Sequence, residues 1–194
     1  MTEEQKLMSA LVVIDLQNAI VDSPLHDAER VLGTVAGLIN TAREQGVPVL
    51  YVRHEDRDDE GMRAGSDGWQ IHDTVAPREG EVIVEKQWGD AFAATDMRQK
   101  LAKLGVGHLY LTGAETDACV RATHIGALAH GYDVTLVADA HSLWAERPGV
   151  SLNAEQIITY HNEVARFLAY PGASTKVATA AEVRFTKVPE AAGA

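Results

Sequence analysis

The 194-residue chain has one cysteine, Cys119, so no intrachain disulfide can form and a four-cysteine zinc site is excluded. Long hydrophobic runs are missing as well: no apolar stretch approaches the roughly 20 residues that a bilayer-spanning helix needs. The opening segment, MTEEQKLMSA, is acidic and polar and has the pattern of neither a signal nor a transit peptide, so the expected location is cytoplasmic. Basic residues are scarce, with 17 Lys plus Arg against 28 Asp plus Glu and a net charge of −11. A negative field repels phosphate backbones, which tells against nucleic acid as a partner; solubility is the simple reading of the charge. Repeats, low-complexity tracts and linkers are absent too. With 46% hydrophobic and 23% charged residues, the composition is that of an ordinary globular chain. The length suits one domain, expected over 1–185, with a frayed tail at 186–194 that is rich in Ala, Pro and Gly.

What is present is an alternation of apolar strands and amphipathic helices. Residues 10–16 (ALVVIDL) form a short, nearly all-apolar run, as a strand covered on both faces requires. Val31, Leu32, Val35, Leu38, Ile39 and Ala42 then fall on one helical stripe, stopped by Gly46 and Pro48. Further strands are predicted at 47–52, 82–85, 108–112, 133–138 and 175–178, with helices at 95–104, 117–130 and 154–168. Asn153 and Gln156 have the spacing of a capping box at the start of the last helix. Residues 53–80 are charged and weakly periodic, and a loop of that length usually carries function or covers a site. Repeated β-α-β connections force parallel pairing with right-handed crossovers. The fold expected is therefore a three-layer αβα domain around a mostly parallel six-stranded sheet. In such sheets ligands bind beyond the carboxyl ends of the strands.

Three reactive side chains fall at those ends. Asp15 stands in VVIDLQN, Lys86 in VIVEKQWGDAF, and Cys119 in LTGAETDACVRAT at the start of the next helix. Each has an ordinary reading: a helix-capping or metal-binding Asp, a solvated Lys, an inert buried thiol. A carboxylate near the interior of a strand is expensive unless paired, and a lysine from a neighbouring strand end supplies the pair. A thiol in the first turn of a helix, near an ammonium, is expected to have a lowered pKa. Asp15 would then accept the thiol proton and return it to a leaving amine, with Lys86 holding both charges.

These three segments, in that order and at these spacings, resemble the isochorismatase-like cysteine hydrolases, a superfamily that includes nicotinamidases, carbamoylsarcosine amidohydrolase, ureidoacrylate and biuret hydrolases, and streptothricin hydrolase. The likeness runs from about Ala10 to Trp144, with weaker agreement to Phe185. It implies that Asp15, Lys86 and Cys119 match the family's catalytic triad. It also implies a cis peptide between Ala114 and Glu115, and backbone amides of Glu115 and Cys119 as oxyanion donors. The reaction implied is thiolate attack on a small amide, ureide or lactam, loss of ammonia or an amine, and hydrolysis of a thioester. No cofactor is implied, and the usual assembly is a homodimer or homotetramer.

The sequence departs from the family in two places. Asp90 stands where many members have Ser, and YVRHEDRDDE replaces the metal-binding Asp-x-His of nicotinamidases, so His54, Glu55 and Asp56 read as a solvated or loop-ordering cluster and no metal is expected. Gln17, Trp88 and Phe92 are candidate substrate contacts, with Trp69 a further candidate wall. His124 reads as a satisfied histidine and not a base. Two other functions stay open: vinyl-ether hydrolysis with Asp15 as general acid, and a catalytically silent interaction module. A phosphotransferase of the haloacid-dehalogenase type would want a second Asp where Gln17 stands. The acidic loop admits a cationic substrate.

Overall fold

The computed structural model describes residues 8–147 and 149–186. The opening residues and 187–194 of the tail expected to fray lie outside the described residues, whereas Thr186 is held by Ser9, whose hydroxyl donates to its carbonyl at 3.0 Å. Strand β1 (Ser9–Ile14) is buried along its whole length. Its Ala10, Val12 and Ile14 enter one apolar cluster, and Leu11 and Val13 enter the other. Successive side chains of a strand point to opposite faces, so a strand covered on both sides needs an unbroken apolar run.

Five further strands follow: β2 (Val49–His54), β3 (Val82–Lys86), β4 (His108–Ala114), β5 (Asp133–Ser142) and β6 (Thr175–Ala178). They form one six-stranded sheet in the order β3-β2-β1-β4-β5-β6, and all five pairings are parallel. The chain therefore winds outward from β1 in one direction and then, through β4, in the other. The carboxyl ends of β1 and β4 flank the point where the direction reverses, which is where open α/β sheets leave a crevice.

The helices are α1 (Asn18–Asp22), α2 (Ala28–Glu44), α3 (Met97–Lys103), α4 (Arg121–Ala129) and α5 (Ala154–Ala165). Helix α2 lays the predicted stripe, Val31 to Ala42, against one face of the sheet. Each fully buried aliphatic side chain of that stripe contributes about 1.5–3 kcal/mol. Met97 and Leu101 of α3, with Ala127 and Leu128 of α4, cover the other face. At the start of α5, Asn153 accepts from the Gln156 amide at 2.9 Å, and Gln156 accepts from the Asn153 amide at 3.0 Å, completing the capping box.

Several boundaries differ from the sequence reading. Strand β1 ends at Ile14, not at 16. Strands β2 and β5 run on through polar residues to His54 and Ser142. The first part of the helix expected over 117–130 is instead a separate turn, Thr116–Val120, wound as a π-helix, and the α-helix begins at Arg121. Short α1 was not expected, and the long segment 53–80 carries two 3-10 turns, Glu60–Met62 and Asp73–Val75. At Gly113, where φ is +115°, an added Cβ would sit 2.0 Å from the Ile14 carbonyl oxygen. Only glycine lets β4 approach β1 this closely at the reversal point.

Candidate active site

Asp15 directly follows β1 with a left-handed backbone, φ 49°. That conformation is uncommon outside glycine and costs of order 1 kcal/mol or more. Its amide still donates to the Val52 carbonyl at 3.0 Å, so the residue leaves the sheet as a fixed corner. Lys86 ends β3, two strands away, and its side chain is buried. The Lys86 ammonium lies 2.6 Å from Asp15 Oδ2 and donates to Cys119 Sγ at 3.1 Å. Cys119 is carried by the π-helical turn after β4. Chain segments far apart in sequence thus converge at the carboxyl edge of the sheet.

The electrostatics of this trio differ from the sequence expectation in one respect. Burial first, and the Asp15 carboxylate second, push the Cys119 thiol up to about 12, against the opposing pull of Lys86. The helix start and the ammonium predict a lowered thiol pKa; burial and the Asp15 carboxylate outweigh the ammonium. Burial acts to lower the Lys86 pKa, but Asp15 and Cys119 overcome it and leave the pKa raised. The resting arrangement is therefore a thiol beside an ammonium–carboxylate pair.

The ammonium has a third neighbour that the sequence reading left out. His54 Nδ1 lies 3.2 Å from Lys86 Nζ. The sequence places the end of β2 at residue 52 and His54 in a solvated or loop-ordering cluster; the strand continues to His54, which falls opposite Lys86 in the ladder.

A cavity of about 300 Å³ opens onto Asp15 and Cys119 of the trio. His54, Glu115, Ile20, Met62 and Trp144 share its lining. The volume suits a small molecule. The peptide bond between Ala114 and Glu115 is cis. Glu115 and Asp117 both accept from Arg147 Nη2, which ties the nucleophile turn to the segment after β5.

None of the three candidate substrate contacts lines this cavity. Gln17 is fully buried: its Nε2 donates to the His54 and Trp69 carbonyls, each at 2.9 Å, and its Oε1 accepts from the His54 amide at 2.7 Å. Those bonds to the backbone commit the amide group to holding strand ends together. Phe92 packs with tilted geometry on His130 and Tyr132 in the core, away from the cavity. Trp88 is 63% exposed and lines a neighbouring surface hollow with Lys86 and Glu55, not the cavity above Cys119. Trp69 lies under the Arg53 guanidinium, 3.3 Å from ring centre to carbon. His124 bonds Thr175 through Nε2 at 2.6 Å, and burial holds its pKa down at about 4, as suits a structural histidine. Asp90 accepts from the Phe92 amide at 2.9 Å and packs its carboxylate against Gly126 of α4. Among the described residues no group of three or more His, Cys, Asp or Glu is arranged to hold a metal ion. No described helix is long and apolar enough to cross a membrane.

Comparison with known proteins agrees with this architecture. Residues 9–150 match the model of the isochorismatase domain. A streptothricin hydrolase from Streptomyces noursei is 33% identical over 148 residues, which is 74% of this chain and 59% of the relative. An N-carbamoylsarcosine amidase from Arthrobacter is 32% identical over 146 residues, 63% of this chain and 55% of the relative. The chain thus spans less than two thirds of the length of either protein. The crystal structure of an isochorismatase from Pseudomonas putida KT2440 superposes with a TM-score of 0.80 at 28% identity, covering 92% of this chain and 91% of that one.

Proposed function

We infer the activity from one premise: this chain belongs to the isochorismatase family. Relatives within it are named as hydrolases of streptothricin and of N-carbamoylsarcosine. We propose that this chain is a cysteine-dependent hydrolase that cleaves a C–N bond of a small amide, ureide or lactam. The observation that carries the proposal is the Lys86 ammonium, held 2.6 Å from Asp15 and 3.1 Å from the Cys119 sulfur, with Asp15 and Cys119 lining a small cavity.

In the proposed cycle Asp15 takes the thiol proton as Cys119 Sγ forms a bond to the substrate carbonyl carbon. With the thiol at about 12, a thiolate does not accumulate beforehand, so proton removal accompanies attack. The carbonyl electrons move to oxygen, where the backbone amides of Glu115 and Cys119 are the proposed donors. As the C–N bond breaks, Asp15 passes its proton to the departing nitrogen. That step leaves a thioester on Cys119. Water then attacks the thioester and gives a proton to Asp15; the C–S bond breaks, and the proton returns to sulfur. Lys86 stays an ammonium throughout, stabilising Asp15 as a carboxylate and the sulfur as it gains charge.

A screen for ammonia release across amides, ureides, carbamoyl compounds and lactams tests the assignment. Wild type should hydrolyse at least one class. Alkylation of Cys119 with iodoacetamide should abolish that activity, whereas vinyl-ether hydrolysis with Asp15 as general acid would survive it.

A further inference from the structure

Lys86 has three ammonium protons and three neighbours: Asp15 at 2.6 Å, Cys119 at 3.1 Å and His54 at 3.2 Å. An ammonium can only donate, so His54 Nδ1 must be the nitrogen with the free lone pair. That fixes the neutral imidazole as the tautomer with its proton on Nε2. Two further features hold the imidazole in place. The sheet register sets His54 directly beside Lys86 on adjacent strands. Gln17 then grips the His54 backbone from both sides, accepting from its amide at 2.7 Å and donating to its carbonyl at 2.9 Å.

We propose that His54 is a positioning residue for the nucleophile: by taking the third proton of the Lys86 ammonium, it aims the other two at Asp15 and Cys119. Gln17 supports it, which gives that buried amide a role in place of the substrate contact expected from sequence. Without an acceptor at this position, a buried N–H is left unsatisfied and the ammonium is free to turn away from the sulfur. Burial and the ammonium itself hold the His54 pKa below its ordinary value, against Asp15, Asp56 and Glu55, so the imidazole stays neutral and able to accept. The inference rests on the reading of Cys119 as the reactive thiol, but its tests use no substrate. They can therefore fail while the hydrolase assignment stands, or succeed where it falls.

Two measurements decide it. In the first, iodoacetamide alkylation of Cys119 is followed against pH in wild type, His54→Leu and His54→Asn. The Asn side chain can offer an oxygen acceptor near the Nδ1 position, whereas Leu cannot. His54→Leu should alkylate about tenfold more slowly at pH 8, and His54→Asn should stay within about threefold of wild type, since one pKa unit is a tenfold change. Equal rates in all three proteins, or an equal loss in both variants, would overturn the proposal. In the second, nitrogen NMR of histidine-labelled protein reads the tautomer and titration of His54, assigned by its missing signal in His54→Asn. Wild type should show the proton on Nε2 and titrate below 6.5, and Lys86→Met should shift that titration upward. A proton on Nδ1, or the same titration with and without Lys86, refutes the arrangement even if His54→Leu does not fold.

Discussion

Removing the two charged partners of Cys119 one at a time should separate thiol reactivity from turnover. The Lys86 ammonium sits 3.1 Å from the sulfur. At that distance a unit charge is worth roughly 5 kcal/mol at an effective dielectric constant of about 20, or about four pH units as an upper bound. Relaxation and water entry reduce this, so Lys86→Met should raise the apparent pKa for alkylation by about one unit or more. Asp15 acts with the opposite sign, since its carboxylate is among the causes that push the thiol up to about 12. Asp15→Asn should therefore alkylate faster than wild type near pH 8. Its turnover should nevertheless fall by about 10²–10⁴-fold, because no group remains to move the proton between sulfur and the leaving nitrogen. The assay is the rate of iodoacetamide incorporation against pH, set beside ammonia release, for wild type and both variants. Superimposable alkylation profiles would mean that the trio is not electrostatically coupled, and the reasoning would fail.

Three other outcomes follow from the geometry. His141 is fully buried between Thr116 Oγ1 at 2.8 Å and Asn162 Oδ1 at 3.0 Å, and burial lowers the pKa of both His141 and His124 to about 4. A depressed histidine pKa means that the unfolded chain binds the extra proton, so stability is complete above about 6.5 and is lost as pH falls toward about 4, by roughly 3 kcal/mol per histidine; urea titrations at pH 7 and 4.5 should show the loss, and His124→Gln should reduce it. Gly113→Ala should destabilise the fold by more than about 3 kcal/mol, because its Cβ would meet the Ile14 backbone at 2.0 Å; a wild-type urea midpoint in the purified variant would contradict the close packing of β1 on β4. Prolonged EDTA treatment should leave ammonia release unchanged, since a thiol nucleophile needs no metal-activated water; restoration of a lost activity by zinc or iron would identify a metal site that this account lacks.

The fold was legible in sequence wherever burial imposes a period. The stripe of α2 and the unbroken apolar run of β1 each have one reading, because helix and strand expose different spacings to a two-sided core. Strand ends were not legible where polar residues extend them. Arg53 and His54 look like loop, yet pair in register with Glu85 and Lys86, since an ion pair and a buried contact replace the apolar signal. The same blindness hid His54 from the site. Asp15, Lys86 and Cys119 were singled out because each follows an apolar run, and the structure brings the three together. The aromatic candidates were less legible for a different reason: closeness to Lys86 in sequence says nothing about direction, and after β3 Trp88 is exposed while Phe92 lies in the core. A helix start and a nearby lysine are visible in sequence, whereas the desolvation that pushes the Cys119 thiol up is not.

The central claim is that Cys119 forms a covalent bond with the substrate acyl group. Wild type mixed with a substrate that releases ammonia, quenched in acid during turnover and examined by intact-protein mass spectrometry, should carry one acyl adduct, mapped to Cys119. Cys119→Ala should show neither adduct nor ammonia release; full turnover by Cys119→Ala would contradict the account.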